Sequence, residues 1–188
     1  MKKTLSLAFV ALVSLAEVAC STTPPGTEVA ASQRQSIDAG DDAALSRLYA
    51  DTPGTRDVVA KAKGVLVIPR LVSAGLVVGG SHGEGALRVD GRTSGYYSAG
   101  GAALGVIAGA DTKDMFLVFM SDEALTKFRT SSGWTAGLDG AVAFAHSGAG
   151  GRLDNESGQH QVIGYVLSNG GLVANVSIEG TKLTRLAI

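Results

Sequence analysis

Gly79-Gly80-Ser81-His82-Gly83 has the G-x-S-x-G spacing of a nucleophile elbow. That chemistry needs a strand-turn-helix, where strain lifts the serine hydroxyl out of a sheet, and a histidine-carboxylate pair to take its proton. His146 or His160, with Asp139 or Asp154, are the partners this chain offers. Gly83-Glu84-Gly85 leads into a strand pattern instead of a helix, and the α/β repeat of such hydrolases is missing. The segment therefore reads as a glycine-rich turn, and no residue is assigned as catalytic. As a phosphate loop it lacks the Gly-Lys-Ser/Thr tail and the helix that must follow. His82, His146 and His160 have no ligand spacing such as H-E-x-x-H, and one cysteine gives no thiolate set. No metal and no cofactor is expected. Positive charge is what remains. Lys61, Lys63, Arg70, Lys127, Arg129, Lys182 and Arg185 are the candidate anion-binding residues, with Arg88 and Arg92 in the same scatter. Single surface cations ordinarily make a solvated, salt-mixed face. Converging on one face near an anionic membrane, each adds about 1 kcal/mol, and arginine forks suit phosphate oxygens at close range.

The one cysteine has a different use. Lys2 and Lys3 precede an apolar run from Leu5 to Ala16, 12 residues long. A bilayer-spanning helix takes about 20 residues, so a secretory signal is the better reading. Cys20 follows it, after the small Ala19, and resembles the lipid-modified first residue of a bacterial lipoprotein. Glu17 stands where such signals usually carry leucine, and Ser14-Leu15-Ala16 offers an ordinary cleavage site that would yield a soluble secreted product. Ser21 resembles the outer-membrane sorting class. The expectation is a signal peptide over 1–19, a lipidated Cys20 with a flexible tether over 20–36, and a domain over 37–188. That places the protein in the cell envelope, lipid-anchored at the outer membrane and facing the periplasm. Sixteen tether residues would reach about 55 Å when extended. Cleavage before Cys20 shifts the formal net charge from −1 to −2, since two cations and one anion leave with the signal. Such a balance gives no general attraction to nucleic acid.

The elements that must position these residues fall into two zones. Only Gly26, Gly40 and Gly54 lie in residues 1–63, and the other 23 glycines lie in 64–188. The first zone is a helical collar over 37–63. Ser36 or Asp38 caps a helix to about Ala50, with Ile37, Leu45, Leu48 and Tyr49 on one stripe and Asp41 and Asp42 near its positive end. Thr52 and Pro53 open a second short helix, with Lys61 and Lys63 at its C-terminal end. The second zone, 64–188, reads as about eight short strands. Val65–Ile68 is a continuous apolar run, 84–90 alternates, and Asp90-Gly91 is a two-residue hairpin signal, as is Asn169-Gly170. Trp134 to Phe144, Leu172 to Ile178 and Thr181 to Ile188 read as further strands. One helix interrupts, over Glu123–Arg129, capped by Ser121 or Asp122. Gly101, Gly105 and Gly109 form a small-xxx-small run, but 98–110 is too short to span a membrane and reads as a buried strand. Short strands without crossover helices pair antiparallel. The fold class is α+β: a strongly curved antiparallel sheet or barrel-like domain with two or three short helices, bent where glycine permits close approach.

The ordered motifs Ala62-Lys63-Gly64-Val65-Leu66-Val67-Ile68-Pro69, Gly75-Leu76-Val77-Val78-Gly79-Gly80, Gly83-Glu84-Gly85 and Gly95-Tyr96-Tyr97 resemble the SYLF family. So do Phe119-Met120-Ser121-Asp122-Glu123-Ala124-Leu125, Gly133-Trp134 and the closing Gly171-Leu172-Val173 to Ser177-Ile178-Glu179-Gly180. The resemblance runs from about residue 40 to the C-terminus. It implies a lipid-binding domain without catalysis, with phosphoinositide and actin-linked roles in eukaryotic members. It also implies that Lys61 and Lys63 match the family's proposed membrane-contact region. A polar pattern that members often show in the central strand is replaced here by Ala103, Ile107 and Asp111. The expected partners are anionic phospholipids or a membrane surface, and no nucleic acid. The alternative is a structural or protein-interaction module with an envelope protein as partner.

Overall fold

The hairpin signal at Asp90-Gly91 is where the sheet begins to take shape. Both residues have positive φ, 51° and 74°, and Val89 pairs with Arg92 across them. This is the doubly left-handed turn whose twist matches antiparallel strands. The structure, a computed structural model, describes residues 25–75, 78–104, 109–145, 161–168, 171–172 and 180–188. The signal region, Cys20, His146, His160, Asp154, Ile107 and the strand expected over 173–178 lie outside the described residues.

Three helices and nine strands are present among the described residues. They run α1 (Pro25–Asp51), α2 (Thr55–Lys61), β1 (Gly64–Gly75), β2 (Val78–Val89), β3 (Arg92–Leu104), β4 (Gly109–Phe119), α3 (Asp122–Thr130), β5 (Trp134–Thr135), β6 (Ala143–Phe144), β7 (Val162–Ser168), β8 (Gly171–Leu172) and β9 (Lys182–Arg185). One sheet holds all the strands in the order β5-β9-β3-β2-β1-β4-β7-β6, with β8 on β7, and it curls into a half-barrel. The α+β class with a curved sheet is therefore observed. The pairing is antiparallel except at β6, which runs parallel to β7.

Two apolar layers sandwich the central strands. On one face Leu66, Ile68, Leu87, Tyr97, Met115, Leu117 and Phe119 pack with Leu125 and Phe128 of α3 and with Trp134. The Phe128 ring lies 4.9 Å from those of Tyr97 and Phe119 and 5.7 Å edge-on from Trp134. On the other face Val65, Val67, Phe116, Val118, Ile163 and Tyr165 pack with Ala44 and Leu48 of α1, flanked by Val58 and Val59 of α2. Burial on both faces explains why Val65–Ile68 and Met115–Phe119 are continuous apolar runs instead of alternating ones.

The curl has a local origin in β1. Its register slips against β2 between Val67 and Val72 and against β4 between Ile68 and Leu71. The bulge contains Pro69 and Arg70, whose φ is 55°. Facing it, a Cβ on Gly85 would overlap the Val67 carbonyl oxygen. Only glycine permits that backbone approach, which lets β1 bend over β2. The Asp114 carboxylate pins the bulge. It accepts the Arg70 N–H at 3.0 Å and the Arg47 guanidinium of α1 at 2.6 Å.

Several expectations are corrected. Residues 25–36, read as tether, are the first turns of α1, a helix of 27 residues and not a short one. Pro25 occupies its first position, and Ala30, Ala31, Gln33, Arg34 and Gln35 are strong helix formers. The segment is largely exposed, so no apolar stripe marked it. Asp41 and Asp42 consequently lie in mid-helix, not at its positive end. α2 begins at Thr55 with Gly54 as its cap, and Thr52 is buried with its carbonyl accepting the Thr55 hydroxyl at 2.7 Å. Gly79–Gly83 is not a turn but lies inside β2. The span Trp134–Phe144 is two short strands separated by a tight loop, because Gly137 has φ 85° and breaks the run. Within 98–110, read as a buried strand, Ala99 is buried but Ala102 is exposed. The expected cap of α3 is present: the Ser121 hydroxyl accepts the Ala124 N–H at 3.1 Å.

Candidate functional site

The seven cations do not share one face. Lys61 ends α2, exposed, and Lys63 follows it with Nζ 3.1 Å from Asp122 at the start of α3. Both complement helix ends, Lys61 the C-terminus of α2 and Asp122 the N-terminus of α3. Arg70 sits in the β1 bulge, its N–H donating to Asp114, with Pro69 beside it approaching Gly40 of α1. Lys182 alternates with the buried Leu183 along β9 and lays its stem against Gly133. Lys127 lines a cleft of about 260 Å³ with Trp134, Asp139, Gly140 and Gln161.

Arg129 and Arg185 are the two cations whose charges act on one group, the Tyr97 phenol. Arg129 is in the last turn of α3, next to Phe128, whose ring packs on Tyr97. Arg185 is paired with Tyr97 in the β3–β9 register. Its Nε and Nη2 and the Tyr97 Cε2 all lie 3.5 Å from the point where a Gly95 Cβ would stand. Burial raises the Tyr97 phenol above its usual range, and the Arg185 and Arg129 charges pull it back. Among the described residues neither guanidinium is in an ion pair, and both are exposed. Two uncommitted guanidiniums whose charges both reach one phenol offer positive charge to an oxyanion. Tyr97 itself was named in the sequence only as part of a motif. Its place beside Arg185 depends on pairing between β3 and β9, which no local spacing encodes.

A second polar cluster holds α1 to the β2–β3 hairpin. Asp38 accepts from the Thr93 hydroxyl at 2.8 Å and the Tyr96 hydroxyl at 3.0 Å. Asp42 lies 3.0 Å from Arg88 Nη2. Asp41 is fully buried and accepts the Ala86 N–H at 3.0 Å, while its Oδ1 has no partner among the described residues. Burial pushes its pKa up to about 8, against the opposing pull of Arg88 at 3.8 Å, and Asp38 and Asp42 add to the rise. These aspartates lock a helix to a sheet. The same residues in sequence read only as helix-end acids.

Ser81 sits within β2 opposite Ser73 of β1 and Gly101 of β3, and its hydroxyl lies 3.5 Å from the Gly101 carbonyl. No strand-turn-helix lifts it out of the sheet. Asp139 is engaged by the Thr135 N–H at 2.6 Å. Among the described residues no group of three or more histidine, cysteine or acidic side chains could hold a metal ion.

Residues 100–186 match the family model Ysc84, described as Las17-binding protein actin regulator. No curated protein matches the chain. The matched segment takes in the second half of β3, β4, α3 and β5 to β9, and so Lys127, Arg129, Lys182 and Arg185. Lys61, Lys63 and Arg70 precede it. That match is consistent with the SYLF resemblance of the sequence over the same segment.

Proposed function

We propose that this chain is a lipid-anchored protein of the cell envelope that binds anionic phospholipid. The observation that carries the reading is that Arg129 and Arg185, both exposed and outside any ion pair among the described residues, act together on the Tyr97 phenol. Acyl chains on Cys20 would anchor the chain at the outer membrane, facing the periplasm, and the arginine face would meet headgroups. Two weak attachments hold where one is marginal. With so little net charge, attraction has to come from the local patch, not from the molecule as a whole. The first turns of α1 turn much of the tether into a short rod, about 1.5 Å per residue. That shortens the greatest distance at which the domain can stand from the bilayer.

The test uses residues 21–188, which include both cores and all described elements. The expected result is salt-sensitive binding to vesicles containing phosphatidylglycerol and none to phosphatidylcholine alone. Replacing both Arg129 and Arg185 by alanine should weaken binding by about 30-fold, at about 1 kcal/mol per cation. Equal binding to both vesicles, or to neither, overturns the reading. A protein partner in the envelope is the second reading. It is favoured by the description of the matched family, which names a protein ligand. Lipid-independent capture of one defined envelope protein, lost with a change on this face, would select it.

A further inference from the structure

Leu138 is the most exposed of the large apolar side chains among the described residues, at 83%. It stands at the tip of the loop that separates β5 from β6. The loop is braced from within. The Leu138 and Asp139 N–H groups both donate to the Thr135 carbonyl, at 3.2 and 2.9 Å, and the Gly137 N–H donates to Gly140 at 3.0 Å. The Asp139 carboxylate closes the ring on the Thr135 N–H. The loop is also fixed to the start of β9: Ala136 donates to Thr181 and Gly180 donates to Ala136, each at 3.0 Å. Beneath it Trp134 is buried and Gly140 lies against its indole. A loop held this way needs no leucine at its tip to fold, and Leu138 belongs to neither core.

Two lysines lie at the base of the loop. Lys182 lies opposite Thr135 in the β5–β9 pairing, and Lys127 shares its cleft with Asp139 and Gly140. Both are exposed, and among the described residues neither is in an ion pair. One protruding leucine between Gly137 and Asp139 is far less than the roughly 800 Å² a side that a stable protein interface requires. It suits a bilayer surface, where an apolar tip enters the interface and long lysines keep their charge at the phosphates.

We infer that the Thr135–Gly140 loop is the point where the domain touches an anionic bilayer, with Leu138 entering the interface and Lys127 and Lys182 at headgroup level. This rests on the lipid-binding reading above and gives it a point of contact on the domain.

The test places a reporter at the tip of the full chain. Leu138→Trp adds a second tryptophan to the native Trp134, whose buried signal in the wild type supplies the background. Vesicles of brominated phosphatidylglycerol should quench the added emission at least twofold, and vesicles of brominated phosphatidylcholine should not. Quenching no greater than in the wild type overturns the inference. In residues 21–188, Leu138→Glu should weaken binding to phosphatidylglycerol vesicles about tenfold or more, as expected for losing a buried leucine. If the wild type binds and Leu138→Glu binds equally well, the orientation is wrong while the lipid reading survives. If the wild type binds no anionic vesicle, both fall. Lipid-free dimers that disappear with Leu138→Glu would assign the tip to a protein contact and overturn the inference.

Discussion

Replacing Asp41 by asparagine keeps an oxygen for the Ala86 N–H and removes the ionisable proton. The side chain is fully buried, its pKa is raised from 3.8 to about 8 by desolvation first, and Arg88 opposes the rise while Asp38 and Asp42 add to it. In the unfolded chain Asp41 loses its proton near pH 4, and in the folded chain it keeps it to about pH 8. The folded state therefore binds more protons between these values, and stability falls as pH rises through that window. Below pH 4 both states are protonated, and above about pH 8 both are charged, so the effect levels off at each end. The slope is about 1.4 kcal/mol per pH unit, which gives a loss of about 3 kcal/mol between pH 5 and pH 7. The amide of the Asp41→Asn variant does not titrate, so this loss is absent there. All other carboxylates titrate alike in the two proteins, so their difference isolates this group. Urea denaturation of wild type and Asp41→Asn at pH 5, 6, 7 and 8 is the assay. The variant should gain on the wild type steadily, and exchange of the Ala86 amide should slow relative to the wild type at high pH. Two stability profiles that stay parallel within about 0.5 kcal/mol from pH 5 to pH 8 would refute the reasoning.

Other outcomes follow from the same contacts. Gly85→Ala drives a methyl into the Val67 carbonyl, and a loss of about 3 kcal/mol or more is expected in thermal or chemical denaturation. Asp114→Ala leaves the Arg70 N–H at the bulge without its acceptor and frees Arg47, for a loss of about 2–4 kcal/mol. Asp114→Asn, which retains an acceptor, should cost less. Ser121→Ala removes the cap on α3 and should cost about 1 kcal/mol, read as a shift in denaturation midpoint without a change in slope.

Much of the fold was readable because its signals are local. The Asp90-Gly91 turn, the Ser121 cap and the continuous apolar run of β1 each depend on a few adjacent residues. The loop around Leu138 was misread for a related reason. Alternation from Trp134 to Phe144 looks like a strand until Gly137 turns left-handed and Asp139 closes back on Thr135. The first turns of α1 were missed because they bury almost nothing. Helix propensity holds them, and a search for apolar periodicity is blind to it.

The candidate site divides the same way. Composition picked out cations as the chemistry-bearing set, and ordered motifs pointed to the family, while among the seven only Lys61 and Lys63 were set apart, by resemblance alone. Strand pairing separated them. The β3–β9 register brought Arg185 to Tyr97, the packing of α3 put the Arg129 charge within reach of the same phenol, and Arg70 was taken into the β1 bulge, where its N–H meets Asp114. Asp41 shows the same limit in its charge: an aspartate three residues after another reads as a helix acid until a sheet covers it. Residue type and local spacing determine which elements form and which groups carry charge. Only the tertiary structure decides which charges meet, which are buried and which apolar side chain is left in water, because those depend on contacts between segments that sequence separation does not specify.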